Sequence, residues 1–394
     1  MSKTFLCISC EFKGHGFYKA CKEAGNKVYL VTPKKLEHEP WQREYLDDIF
    51  FVEEENNLVW NMSNLKKGLA YFMRNNKVDC VIALDDFDVE KAAALREHFR
   101  IPGMGETTSR YFRDKLAMRV KAKNTGLKVP PFSALFNDDE VNQFIAEVPA
   151  PWVLKPRGEA SADGIQKVKN GQELWEAIHR LGDRRDNYLV EQFKAGAVYH
   201  VDALINDAKT IFARSSKYLS TPFEVAHGGG IFRSHILQLN SKEDKALQKM
   251  NKEVLKAFGL KLGASHTEFI QADEDGEFYF LETASRVGGA HLAEMVEFSS
   301  GINLWGEWAK LESAELKNEP YKLPKVKKDY TGIVVSLSKY QHPDYSSFTD
   351  SEIVWRLKKD YHIGMIVQAK TRKRVLELLD KYAERINEEF HATI

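Results

Sequence analysis

Two glutamates stand on either side of a short acidic turn. The stretch GASHTEFIQADEDGEFYFLETA, residues 263–284, carries Glu268 on its first arm and Glu282 on its second. DEDG between two apolar runs reads as a hairpin. With Glu268 directly opposite Glu282, their Cβ atoms lie about 4.5–5.5 Å apart. A one-residue slip sends them to opposite faces. Two carboxylates that close repel unless a cation lies between them. Mg²⁺, which takes one or two carboxylates plus phosphate oxygens, suits such a pair. Two exposed edge-strand glutamates are the plainer reading of the same residues.

A second group is cationic. WVLKPRGEASADGIQKV (152–168) delivers Lys155 at the end of an apolar run, then a loop of small residues with Gly158, Ser161 and Gly164. Glycines permit close backbone approach to an anion, and lysine supplies a point charge. G-x-x-x-x-G-K-[ST] is absent, so this is not a P-loop. Read alone, the stretch is equally a polar hairpin. Lys115 sits on a helix in RDKLAMR, where a lone lysine is ordinarily solvated. FARSSKYLSTPFEVAHGGGIFRSH (212–235) gathers Arg214, Lys217, His227 and Arg233 around three consecutive glycines. That suits a carboxylate or a transferring phosphoryl group, or a surface loop with charged ends. In NYLVEQFKAGAVYHVDALI (187–205) a strand ends at Glu191 and another starts near Tyr199, leaving hinge amides and carbonyls able to read a purine edge.

These residues need elements to hold them. The first hundred residues alternate strands (4–9, 27–32, 49–52, 78–84) with helical patterns such as 16–25, which implies parallel βα units. Gly14 and Gly16 lack the G-x-G-x-x-G spacing of a dinucleotide site. LDDFDVE (84–90) reads as a solvated helix start in preference to a ligand loop. One helix is expected from the caps at residues 107–109 to about Asn124, with Pro130–Pro131 forcing an extended exit. Beyond a charged link at 312–329, two strands and a one-faced helix over 371–390 close the chain.

Composition narrows the classes. The 394 residues are 43% hydrophobic and 29% charged with zero formal net charge, so no global field argues for nucleic acid or an anionic membrane. No apolar run reaches the roughly 18–20 residues of a membrane span. Cys7, Cys10, Cys21 and Cys80 are too sparse for a disulfide framework, and a reducing cytoplasm is the simpler expectation. Cys7-x-x-Cys10 has no second CxxC, which favours small buried residues over a metal or redox pair.

The order of the motifs adds what their types alone do not. D-K-L-A precedes K-P-R-G-E-A-S-A-D-G; then come E-Q-F, the Glu268/Glu282 pair and A-S-R-V-G-G. This order resembles the ATP-grasp superfamily over roughly residues 1–310, with the C-terminal segment resembling the biotin-carboxylase-like branch. The resemblance implies an α/β chain, α+β in its nucleotide domain. Its parts would be a βα domain at 1–104, an ATP-grasp domain at 105–310 with a lid at about 130–195, and an α+β segment at 311–394. Lys115 and Lys155 would contact ATP phosphates under a lid loop at 157–164 holding Gly158, Ser161 and Gly164. Glu191, Gln192, Phe193 and Lys194 would hold the adenine at the hinge. His200 resembles a family histidine shifted by one residue. Glu268 and Glu282 would hold Mg²⁺ or Mn²⁺. Arg286 would bind the acid substrate, with Lys217 and Arg233 on the substrate side, and His266 falls where some relatives place a phosphate-contacting arginine.

Two positions depart from the family pattern. Ala284 stands where E-x-N places a metal-binding asparagine, and Val198 where many relatives place a ribose-binding acid. The implied activity is an ADP-forming carboxylate–amine ligase working through an acyl phosphate on small-molecule acid and amine substrates, and a homodimer is compatible with it. Biotin-carboxylase-like carboxyphosphate chemistry and an inactive ATP-binding protein are the alternatives.

Overall fold

Buried β-branched and aromatic residues at the N-terminus build a parallel sheet. The computed structural model describes residues 1–55, 59–159 and 164–392, except the side chains of 226–228. Strand Thr4–Ile8 lies between Lys27–Pro33 and Cys80–Ala83, with Asp48–Val52 at one edge, all parallel. Helices His15–Glu23 and Val89–Phe99 cover its two faces. The four cysteines are free and buried.

A smaller antiparallel sheet follows, in the order Phe132–Ala134, Tyr188–Gln192, Trp152–Pro156, Gln166–Val168. Helices Asp138–Glu147 and Gly171–Leu181 pack on it around Trp152, Leu154 and Val190.

The third sheet has eight strands. Phe278–Ala284 is at one edge, followed by Gly263–Ala272, Gly196–Asn206, Lys209–Tyr218 and Phe232–Ile236. The C-terminal strands Tyr330–Leu337, His362–Ala369 and Ile353–Arg356 continue the same sheet without interruption. Helix Lys242–Phe258 packs on one face of the first half, and helix Arg372–Glu389 packs on the added strands through Val375, Leu378, Leu379, Tyr382 and Ile386. Helix Leu304–Lys317 lies against His15–Glu23, with the Phe17 and Trp308 rings 5.0 Å apart. This contact joins the first sheet to the third.

The helix expected over 107–124 is two helices, Glu106–Arg110 and Lys115–Asn124. Asp114 causes the break. Its side chain accepts from the Leu116 and Ala117 amides and caps a new helix.

Candidate active site

The hairpin sets the geometry. Strands Gly263–Ala272 and Phe278–Ala284 pair Glu268 opposite Glu282, and the register then shifts so that Phe269 pairs with Phe280. This bulge at Leu281 has a physical purpose. Without it Phe280 would share a face with Glu282; with it Phe280 turns to the opposite face and packs beside Phe269, both fully buried. The two carboxylates are thereby fixed from behind by an apolar anchor.

The hairpin forms one wall of a cleft of about 880 Å³ between the two antiparallel sheets. Tyr218 donates its hydroxyl to Glu268 at 2.8 Å, and the Lys115 ammonium lies 3.0 Å from Glu282. Burial opposes the Glu282 charge, but Lys115, Lys155 and Arg119 outweigh it and hold the carboxyl down at about 2. Two carboxylates facing one cavity suit a hard divalent cation. Ala284 also lines the cleft and brings no side-chain ligand atom.

Beneath this pair lies a buried ionic triad. Lys155 and the fully buried Arg119 both donate to the Glu191 carboxylate, Arg119 Nε at 2.8 Å. Burial lowers the Lys155 pKa to about 8, with Glu191 opposing the shift. In this structure the Glu191 carboxylate is committed to these cations and is not left open toward an adenine. Arg119 is one helical turn beyond Lys115 on the same face, and that i,i+4 spacing is the signal by which the sequence could have identified it.

The hinge residues Gln192, Phe193 and Lys194 line the cleft. Amides Gln192 and Phe193 donate to Pro131 and Pro151 carbonyls at 2.8 and 3.0 Å, and the Lys167 ammonium lies 3.6 Å from the Phe193 ring centre. Gly196 then passes so close to the neighbouring strand that a Cβ would fall 2.0 Å from the Gln271 carbonyl. Of the lid loop, Glu159 lines the cleft, as does Ile165 just beyond it; Gly158 and Gly164 do not, and Ser161 lies outside the described residues. The Lys115 ammonium donates to the Glu159 carbonyl at 2.5 Å, and Arg157 grips the capping Asp114, so the loop is tied to the helix start.

Three anticipated site residues lie elsewhere. Along Lys209–Tyr218 and Phe232–Ile236, Tyr218 and Phe232 face the cleft, so strand alternation turns Lys217 and Arg233 away. Lys217 sits over the Tyr199 ring, and Arg233 pairs with Asp380 at 2.8 Å. His200 is fully buried below the cleft. Its Nδ1 bonds Asp202 at 2.8 Å and its Nε2 bonds Ser234 at 2.9 Å. Arg214 donates to the Lys327 carbonyl, and the His227 side chain lies outside the described residues.

Two connections went unread in the sequence. Asp202 also holds His266 Nδ1 at 2.8 Å, and His266 lines the cleft with Nε2 3.6 Å from Glu268. Burial disfavours the imidazolium, but Asp202 and then Glu268 raise the His266 pKa to about 10. Gly288 is required here: a Cβ would stand 2.7 Å from Asp202 Oδ1. The second connection overturns the solvated reading of 84–90. Asp85, Asp86 and Asp88 are buried; Asp85 pairs with Lys13, and Asp86 accepts from Arg286 Nε at 3.0 Å and from Nη2. Arg286 and Asp86 both line the cleft, bringing the first sheet to its edge.

Residues 148–294 match the ATP-grasp domain family. The chain contains an ATP-grasp domain. The chain is 24% identical over 295 residues to an L-arginine-specific L-amino acid ligase of Bacillus subtilis, covering 73% of this chain and 70% of that one. It is 25% identical over 283 residues to a D-alanine--D-alanine ligase of Prosthecochloris aestuarii, covering 66% and 74%. Its fold is similar to that of an L-amino acid ligase from Bacillus licheniformis, with TM-score 0.76 and 18% identity over 99% of this chain and 98% of that one. An N5-carboxyaminoimidazole synthetase from Staphylococcus aureus complexed with ADP superposes with TM-score 0.70 and 14% identity, covering 98% of each chain. The similarity of fold to these structures thus extends well beyond the matched segment.

Proposed function

We propose that this chain is an ATP-dependent, ADP-forming ligase that joins a carboxylate to an amine through an acyl phosphate. The observation that carries the reading is the Glu268/Glu282 pair, with Lys115 and Lys155 beside it and Arg286 in the same cleft. Curated relatives named as amino acid ligases support it.

In this reading Glu268 and Glu282 would hold Mg²⁺, which would supply positive charge to offset that of the phosphates an attacking carboxylate meets. Lys115 and Lys155 neutralise the phosphates, and the hinge at 192–194 takes the adenine. Arg286 orients the acid, which must exchange with Asp86 for its guanidinium. Closure of the lid loop excludes water from the acyl phosphate until the amine attacks. No nucleophilic side chain is required. A reducing cytoplasm, which supplies ATP and keeps the four thiols free, suits such an enzyme, and a homodimer is compatible with it. No described helix is long and apolar enough to cross a membrane.

The test is product analysis. Purified protein with MgATP should release ADP and phosphate when a suitable acid and amine are both present. Release of AMP and pyrophosphate would overturn the acyl-phosphate route.

A further inference from the structure

The cleft changes character beyond the metal carboxylates. Tyr218 and Phe232 meet edge to face, ring centres 5.7 Å apart, and Ala290 and Leu292 also line this cavity. Helix Pro222–Gly228 adds Phe223 and Val225 to the lining. Tyr218 is hydrogen-bonded to Glu268, so the apolar wall begins one hydrogen bond from a proposed metal ligand. A donor carboxylate held beside Glu268 and Glu282 has its own side chain within reach of this wall.

Most carboxylates lining the cleft are already engaged, Glu268 among them, which accepts from Tyr218 and in the ligase reading is taken by the metal. Asp86 is held by Arg286, and Glu191 by Lys155 and Arg119. Glu224 closes a capping box with Thr221. Glu282 pairs with Lys115, and His266 with Asp202. Asp273 bonds through its amide to Ala195, on the hinge side, and Glu159 belongs to the lid loop. A cationic side chain against Tyr218 and Phe232 therefore meets, among the described residues, only Glu268 and Glu224, both already engaged, and burying a charge without a partner of its own is unfavourable.

Resting on the ligase reading, we propose that the carboxylate donor is an acid with an uncharged, apolar side chain seated against Tyr218, Phe232 and Leu292.

The experiment is an ADP-release assay with mass-spectrometric identification of the products. Donors with leucine, methionine, phenylalanine, alanine, arginine and glutamate side chains are compared against one fixed amine, and then the roles are exchanged. Leucine-, methionine- or phenylalanine-type donors should exceed arginine and glutamate donors in kcat/KM by on the order of 10-fold or more. Phe232→Ala should reduce kcat/KM more for leucine-sized donors than for alanine. Phe232→Leu, which keeps an apolar side chain, should retain most of the preference and guards against loss of folding. Arginine or glutamate donors turning over as well as apolar ones would overturn the proposal while leaving the ligase reading standing. Absence of ADP release with every pair would remove the ligase reading and this inference together.

Discussion

Glu282 is where a single atom group decides the most. Its carboxylate faces Glu268 and is paired with Lys115. Glu282→Ala should abolish ADP release in the presence of acid and amine while leaving the fold intact by circular dichroism; near-normal turnover would refute the metal role. Asp88 offers a second test, through pH. Burial, with Asp85 adding to it, pushes the Asp88 carboxyl from 3.8 up to about 8. A folded-state pKa above the unfolded one means that the stabilising proton is fully effective below about pH 4 and lost as pH rises through 8. The unmodified protein should thus lose up to about 1.4 kcal/mol per pH unit across that window from this one group. Asp88→Asn, which cannot ionise, should flatten that slope in urea denaturation measured from pH 5 to 8.5. The sequence made Glu268, Glu282 and Lys155 readable because each ends an apolar run or faces a turn. It hid Asp86 and Asp88, because D-D-F-D has the same composition whether a helix start meets water or a guanidinium from 200 residues away.

Among the elements, the helix Lys115–Asn124 depends most on one residue. Asp114 caps it and also receives Arg157 from the lid loop. Asp114→Ala should cost about 1–2 kcal/mol in chemical denaturation, from the lost cap. It should also raise the KM for ATP, because the loop loses its tether. Arg119→Met on the same helix leaves one Glu191 oxygen and the Leu281 carbonyl without their donor, and should destabilise by roughly 1–3 kcal/mol. Periodicity located the strands well, because buried strands advertise themselves. It could not assign faces where the strand start was uncertain, and Lys217 and Arg233 were misplaced for that reason, while His200 was placed by resemblance alone. The bulge at Leu281 is equally invisible in composition, since it shows only as a change of pairing.

At the scale of the molecule, the motif order pointed to the ATP-grasp architecture, but the charged link at 312–329 suggested a separable end segment. The backbone runs otherwise. Strand Phe232–Ile236, which carries the Phe232 wall of the cleft, is hydrogen-bonded to Tyr330–Leu337, and that strand to His362–Ala369. A chain truncated at residue 320 should accordingly be insoluble or unfolded, judged by recovery from the soluble fraction and by its thermal transition; a soluble truncated chain with a cooperative transition would contradict this. The sheet's continuity also has a consequence for the time course of synthesis. Chains emerge N-terminus first and fold domain by domain. When the nucleotide-binding parts have already left the ribosome, the outer edge of Phe232–Ile236 is still unpaired, and it stays so until residues 330–337 follow. The newborn protein therefore passes through an interval with its lysines and glutamates assembled and one side of its substrate cavity unfinished, a sticky strand edge that a chaperone or a second nascent chain could meet first.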